Sequence, residues 1–457
     1  MKTTLPLIAA LLALSVTSLA AQEEQPPPEK YVSRAEYEKL KSELDELKTQ
    51  MAELVKNGRQ KEPPAAVEAP GADSKSVTAD GTATTQSDEI AELRDEVAKV
   101  KEVAASNAPG DTKFLLTGYA FAGFEKRTGE SSTFGAGFSP ILLWEISDKL
   151  FFEGELELGL NDTATDVNLE YAHLTYLLND YITVGAGKFL TPFGQFPARL
   201  HPAWINKLPD FPLVFNEDEG LVGFSQVGAH ISGVVPLGPT KVLYDIYASN
   251  GPRLNTDNPD GAGLLEFDNF TDINNNKAVG GRIGFMPLPE LEVGYSIQSA
   301  SVNAPDTSAN DADVLLQGVD ASYNHDFDLL KGGIDLRAEW VWSRVSRLTY
   351  DPAGDLGFGP VTFNNRRNGG YVQLAYRPYK IKAPIIDKLE AVGRYDRIDT
   401  PQDAPGGFDE ERWTLGLNYW LGQSTVIKAG YEFGHRDSSQ NGRENVNSFL
   451  LQAAMGF

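Results

Sequence analysis

The sequence predicts an all-β transmembrane barrel of about sixteen antiparallel strands, closed on itself and preceded by short α-helical coiled-coil segments. Three observations carry that prediction. From about Asp111 to the end, apolar and polar residues alternate with a period of two. Successive strand side chains point to opposite faces, so each run has one greasy face and one hydrated face. The runs reach about ten residues, long for a soluble sandwich and right for a tilted strand crossing a bilayer. Hydrophobic residues make up 41% of the chain and mean hydropathy is -0.30. That excludes a bundle of membrane helices, each needing roughly 20 apolar residues, and leaves an alternating barrel as the membrane form.

Taken in order, the chain begins with Lys2, an apolar run from Leu5 to Leu19 broken by Pro6, and small residues at Ser18-Leu19-Ala20. This is the pattern of an export signal over residues 1–20, with cleavage expected after Ala20 or Ala21. Residues 21–110 are expected to be periplasmic coiled-coil segments joined by a linker. Gln22 to Pro28 form a polar, proline-stiffened spacer. Tyr37, Leu40, Leu44, Leu47, Met51 and Leu54 then fall at alternating steps of three and four, the seam of a coiled coil. Residues 57–86 turn to Pro, Ala, Gly, Ser, Thr and Asp, a flexible linker. Ile90, Leu93, Val97, Val100 and Ala104 make a second seam, stopped by Pro109-Gly110. Helices this short gain stability by self-association; a solvated single helix is the alternative.

The barrel domain, residues 111–457, is clearest at its end. Trp413, Leu415, Leu417, Tyr419 and Leu421 alternate with Arg412, Thr414, Gly416 and Asn418; Phe449, Leu451, Ala453, Met455 and Phe457 close the chain on an apolar face. Upstream, Glu153, Glu155 and Glu157 share one face opposite Leu150, Phe152, Leu156 and Leu158. Three glutamates in a row would ruin a sandwich core and suit a wet lumen. Tyr119, Phe121, Trp144, Trp340, Trp342, Tyr376, Tyr395 and Tyr419 sit near strand ends, where aromatic girdles are expected. The phase is ambiguous over 171–178 and 314–323. Short turns such as Ser147-Asp148, Asn179-Asp180 and Leu421-Gly422-Gln423 are expected at the periplasmic side, with long stretches (250–277, 300–313, 350–367) outside.

The segment from Phe193 to Phe224 stands apart. It carries five prolines counting Pro192, together with Phe196, Trp204, Phe211 and Phe215 and the charges Arg199, His201, Lys207, Asp210, Glu217, Asp218 and Glu219. Prolines forbid regular strand pairing, and so many apolar groups forbid a freely waving loop. It is expected to fold into the barrel mouth as a constriction whose field is set by Arg199, Lys207, Glu217, Asp218 and Glu219. A cap outside the barrel or a latch between protomers is the alternative.

The run Gly187-Lys188-Phe189-Leu190-Thr191-Pro192-Phe193-Gly194, the strand Gly393-Arg394-Tyr395-Asp396 and the terminal Phe457 together resemble the phosphate-selective porin (O/P) family of Gram-negative outer membranes, over residues 111–457. The resemblance implies a sixteen-stranded homotrimeric porin in the cell outer membrane, inserted by the barrel-assembly machinery that reads a terminal aromatic such as Phe457. The helical segment before it resembles the periplasmic stalks of other envelope porins, with the cell wall as a candidate partner. Lipid and lipopolysaccharide surround the barrel on this reading.

Charge argues against carrying the family name over as a substrate. Residues 112–457 hold 27 basic and 44 acidic residues. The lumen-phase set mixes Glu153, Glu155, Glu157, Glu292, Glu339, Glu390 and Asp396 with Arg282, Arg337, Arg377, Arg394, Arg412 and Lys428, and Lys188 joins it. A mixed lumen predicts weak selectivity, here with a mild cation preference. The expected function is therefore a water-filled channel for passive diffusion of small hydrophilic solutes or ions. The alternatives are a phosphate- or anion-selective channel and a structural anchor for the coiled coil.

Other classes are excluded by what the chain lacks. It has no cysteine, and its net charge of -24 cannot neutralise phosphates, so a nucleic-acid partner is not expected. Five histidines (His173, His201, His230, His325, His435) show no HExxH or similar spacing, so neither an enzyme, a bound metal nor a cofactor is expected. Asp272-Ile273-Asn274-Asn275-Asn276 imitates a calcium loop without its glycine or terminal glutamate, and reads as ordinary surface loop.

Overall fold

Alternation with a period of two becomes, in the computed structural model, a closed barrel of 16 spanning strands. The structure describes residues 113–457 except 161–163, 218, 257–260, 268–275, 303–311, 352, 355–356 and 358. The leader, both helical seams, the linker, Asp218 and most of the 272–276 run lie outside the described residues.

The first seven strands are β1 (Lys113–Arg127), β2 (Thr133–Ser147), β3 (Leu150–Leu160), β4 (Thr165–Asn179), β5 (Ile182–Leu190), β6 (Ser225–Leu237) and β7 (Thr240–Ser249). They continue as β8 (Ala278–Leu288), β9 (Leu291–Ser301), β10 (Asp313–Phe327), β11 (Gly332–Val345), β12 (Arg366–Arg377) and β13 (Leu389–Asp399). The last three are β14 (Phe408–Trp420), β15 (Thr425–Ser438) and β16, which runs as Gly442–Asn445 and Ser448–Gly456. Both pieces of β16 pair with β15, and the second pairs back onto β1 from Tyr119↔Gly456 to Arg127↔Ser448. Closure leaves no sheet edge, the condition for a β-structure to sit in lipid with every backbone group satisfied.

The strands stand so that one end of the barrel has short turns and the other long loops. Residues 148–149, 180–181, 238–239 and 289–290 join their strands at the end that also carries Lys113 and Phe457. The opposite end carries the connection from β5 to β6 and two short ribbons, Arg253–Leu254 with Leu265–Glu266 and Leu348–Tyr350 with Val361–Phe363. Short turns mark the periplasmic side of such barrels.

Facing follows the sequence pattern. Trp413, Leu415, Leu417, Ile427, Tyr431, Phe449, Leu451 and Met455 are exposed on the outside, while Thr414, Asn418, Lys428, Glu432 and Gln452 are buried within. Phe457 stacks on Phe138 outside, ring centroids 5.7 Å apart, and exchanges backbone hydrogen bonds with Gly118 across the seam. No described helix is long and apolar enough to cross a membrane.

Two stretches were ambiguous for physical reasons. In β4 the register slips by one opposite Glu155/Leu156, leaving Glu170 as an extra residue in a bulge, so the alternation changes phase within the strand. In β10 both faces start apolar, because Val314 and Leu316 point inward and are buried beneath the loops, and the inward row turns polar only at Asp320. Tyr119 and Phe121 correct the girdle expectation. Tyr119 is buried, and both rings belong to an inner cluster with Ala203, Trp204, Trp420, Val426 and Ala454. Something apolar fills the lumen beside them.

Candidate pore constriction

What fills the lumen is the long loop, residues 191–224, between β5 and β6. Its apolar residues cannot remain in water, and the barrel wall offers the polar partners its proline-broken backbone needs. Phe193, Phe196, Leu208, Val214 and Phe215 are each at most 2% exposed. At about 1.5–3 kcal/mol per buried side chain, five of them contribute on the order of 10 kcal/mol. Buried ion pairs come close to breaking even once desolvation is counted. Apolar burial therefore drives docking, and the charges fix its position.

The loop turns inward at Gly194, whose φ of 69° favours glycine. Gly194 N donates to Ser296 Oγ at 3.0 Å and Gln195 N to Glu339 Oε2 at 2.9 Å. The Gln195 side chain donates to Asp320 at 2.7 Å. A single helical turn, Phe196–Leu200, aims Arg199 at Glu292, with N–O distances of 2.9 and 3.1 Å. Further down, Trp204 lies where a side chain on Gly456 would be, next to the last residue of the barrel. Lys207 Nζ reaches Glu390 at 2.7 Å, and the Lys207 carbonyl accepts from Asn418 at 2.9 Å. Inner-wall glycines make the room: Phe193 occupies the space over Gly318 and Leu208 that over Gly416.

The return limb is held by a buried ionic knot. Asp210 lies between Arg394 and Arg412, with Arg412 Nη2 at 2.9 Å and Arg394 closer still. Arg394 also bonds Asp396 at 2.7 Å and the Phe211 carbonyl at 3.2 Å; Arg412 also bonds Glu432 at 3.2 Å. Burial works to raise the Asp210 carboxyl, and the two guanidinium groups outweigh it, holding it below the usual range. Leu213 N donates to Asp396 at 3.2 Å. At the long-loop end, Glu219 takes two bonds from Arg436, 2.6 and 2.8 Å.

The expectation of a constriction at the mouth is thereby corrected. The loop descends to the periplasmic third of the barrel and climbs back, and the alternative of an outside cap is set aside. Every polar contact named above is to β9–β16, while Ala203 and Trp204 pack on Tyr119 and Phe121 of β1 and Ile141 of β2, so the open space beside the loop lies against β3–β8. The cause is complementarity: the β9–β16 wall supplies the glycines and the alternating charges that match the loop.

The sequence-predicted residues divide accordingly. Arg199, Lys207, Arg394 and Arg412 engage as described. Arg282 bridges Glu292 at 2.7 Å and Asp320, and Glu339 also accepts from Tyr371 at 2.9 Å. Lys428 bonds Gln452 at 2.8 Å and the carbonyls of Ala203 and Leu208, so it grips the loop and does not face the pore. Arg337 pairs with Asp335 at 2.7 Å, away from the knot. Glu153, Glu155, Glu157 and Lys188 stand on the opposite, open side. Glu153 meets His173 at 3.3 Å, Glu155 is buried opposite Tyr171, Glu157 lies opposite Asn168, and Lys188 donates to the Leu169 carbonyl. Glu217 is exposed at the loop's outer bend. Asp320, Gln195 and Asp210 emerge as new members; the uncertain phase of β10 concealed Asp320.

His201, within the loop, donates from Nδ1 to the Pro197 carbonyl at 2.7 Å and packs edge-on against Tyr119 and Phe224. Burial pushes its pKa down to about 4 against that hydrogen bond. When the loop is released, the value returns to about 6.5. The docked loop therefore keeps its full stability above about pH 6.5 and loses it progressively as pH falls toward 4, by about 3 kcal/mol. Amide hydrogen exchange over residues 195–215, corrected for intrinsic rate, is expected to quicken between pH 7 and pH 4.5, and His201→Gln is expected to abolish that pH dependence.

With the geometry in place, comparison with known proteins gives the following. The family model described as phosphate-selective porin O and P matches residues 265–456. No curated protein matches the sequence. The outer membrane channel DcaP of Acinetobacter baumannii is similar in structure, with 13% identity, TM-score 0.51, and 77% of this chain and 99% of that one covered. The anion-selective porin from Comamonas acidovorans is similar with 14% identity, TM-score 0.50, and 76% and 100% covered. The chain thus has the fold of outer-membrane porin channels, and the last nine strands of its barrel, β8 to β16, fall within the match to the phosphate-selective porin O and P family.

Proposed function

We propose that the protein is a passive-diffusion pore of the outer membrane, weakly cation-selective, carrying small hydrophilic solutes or ions down their gradients. One observation carries this reading: the loop is pinned to β9–β16, which leaves a water-accessible half-lumen beside Glu153, His173 and Asp245. The arginines that could have selected anions are occupied there. Arg282, Arg394 and Arg412 each hold carboxylates at hydrogen-bond distance. Fold and family match alike point to a channel and away from an enzyme.

Purified protein in planar bilayers tests it. In a KCl gradient the reversal potential is expected to have the sign of cation preference, and conductance in phosphate is expected to rise without saturating. The opposite sign together with small phosphate-saturable currents establishes the anion-selective reading that the matched family's name favours.

The remaining features belong to the same proposal. Three barrels associate as a homotrimer in lipid and lipopolysaccharide, delivered by the barrel-assembly machinery through Phe457. Residues 21–110 form a periplasmic stalk that reaches toward the cell wall after removal of the 1–20 signal. Deleting residues 22–110 separates pore from anchor: a pore still conducts, whereas an anchor loses envelope integrity.

A further inference from the structure

Strand register shows what the open half-lumen presents. Across β1 to β6, one cross-strand row reads Lys113, Glu145, Phe151, Thr175, Gly185 and His230; the next reads Leu115, Leu143, Glu153, His173 and Gly187. Directly paired residues share a face, and the intervening row of Phe114, Trp144 and Leu174 is exposed on the outside. The two rows therefore line the lumen.

They enclose two adjoining cavities. The lower, about 620 Å³, is walled by Leu115, Leu143, Phe151 and Leu177. The upper, about 300 Å³, lies between the long loop and β3–β8. Glu153, His173 and His230 line both, so the two meet at these side chains. A ladder of rings climbs the same wall. Tyr171 meets His173 at 5.9 Å, His173 stacks on His230 at 5.5 Å, and Phe189 touches His230 at 4.8 Å and Tyr247 at 6.0 Å. Gly185 is required beneath it, since a Cβ there would lie 2.1 Å from the His230 ring.

Charge at this waist is one-sided. Among the described residues, Glu153, Asp245, Glu292 and Asp320 are set against two guanidinium groups here, Arg199 and Arg282, both already bonded to carboxylates. Glu153 has an imidazole as its partner, and its side chain stays 48% exposed. Among the described residues no group of three or more donors is placed to hold a metal ion. Ring faces attract cations through their quadrupole, and a mostly apolar pocket with a few fixed polar groups suits an organic ligand.

We propose that the open half of the lumen is a binding site for small organic cations, the ammonium group beside Glu153 and the ring ladder and the apolar part in the Leu115, Leu143, Phe151 cavity. The site rests on the pore reading and names the solute class it favours. A metal ion lacks its ligands here, and an anion meets surplus negative charge.

The full-length protein in planar bilayers, titrated with benzyltrimethylammonium, tests this. Saturable block of the potassium current is expected. The half-blocking concentration should rise about tenfold in Glu153→Gln, which keeps the side-chain shape, and about fivefold in Phe151→Leu, which keeps the apolar bulk. Benzoate blocking at the same concentration as the cation overturns the site, as does a half-blocking concentration unchanged in Glu153→Gln. Absence of any current refutes the pore and not the site. Calorimetric titration of benzyltrimethylammonium into detergent-solubilised protein then decides: binding weakened in Glu153→Gln supports the site, and no binding to the wild type overturns it.

Discussion

Replacing residues 195–220 with a short Gly-Ser linker is expected to raise single-channel conductance severalfold while the barrel still forms. The barrel survives because β5 and β6 pair directly, up to Leu190↔Ser225 at the base of the loop, so the wall needs nothing from the loop to close. Conductance rises because the loop fills the lumen along β9–β16 from Gly194 down to Trp204, where it reaches across to Tyr119 and Phe121 of β1. Deletion also uncovers Arg282, Arg394, Arg412 and Lys428 together with Glu292, Glu339, Glu390 and Asp396, a mixture of both signs. Selectivity should weaken as the current grows, since rings of one sign are what discriminate. Unchanged conductance in such a variant, read in the same bilayer, overturns the placement of the aqueous path beside the loop.

Arg394→Ala is expected to have the largest effect of any single substitution on the docked loop. The Arg394 side chain is fully buried and holds Asp210, Asp396 and the Phe211 carbonyl. Removing one partner of a buried pair leaves uncompensated charge and costs about 3–5 kcal/mol. That cost falls on the return limb, because release lets water reach Asp210 and Asp396. Trypsin reads the result. Lys207, 15% exposed in its side chain, is protected when docked and becomes a cleavage site when the loop opens. Arg394→Ala should therefore be nicked between β5 and β6 much faster than the wild type, with the barrel intact. Equal cleavage rates would mean that the apolar anchors hold the return limb without the ionic knot.

The sequence alone determined the barrel. A strand has only two faces, so a lipid-facing row is written directly into every second residue, as at Trp413, Leu415 and Leu417 or Phe449, Leu451 and Met455. Counting such rows brackets the strand number near sixteen and marks the short-turn end, whereas the exact count and the closure of β16 onto β1 are decided by the pairing. The unusual composition of the 193–224 segment likewise announced that it must bury itself. What only the tertiary structure decided is where. Depth in the lumen, the choice of the β9–β16 wall, the Asp210 knot and the inward turn of Tyr119 and Phe121 depend on contacts between residues some 100 to 240 positions apart, such as Gln195 with Glu339 and Pro209 with Gln452. Alternation says that a residue faces inward; it carries no information about whether water or another part of the chain waits there, because both satisfy an inward polar group equally well.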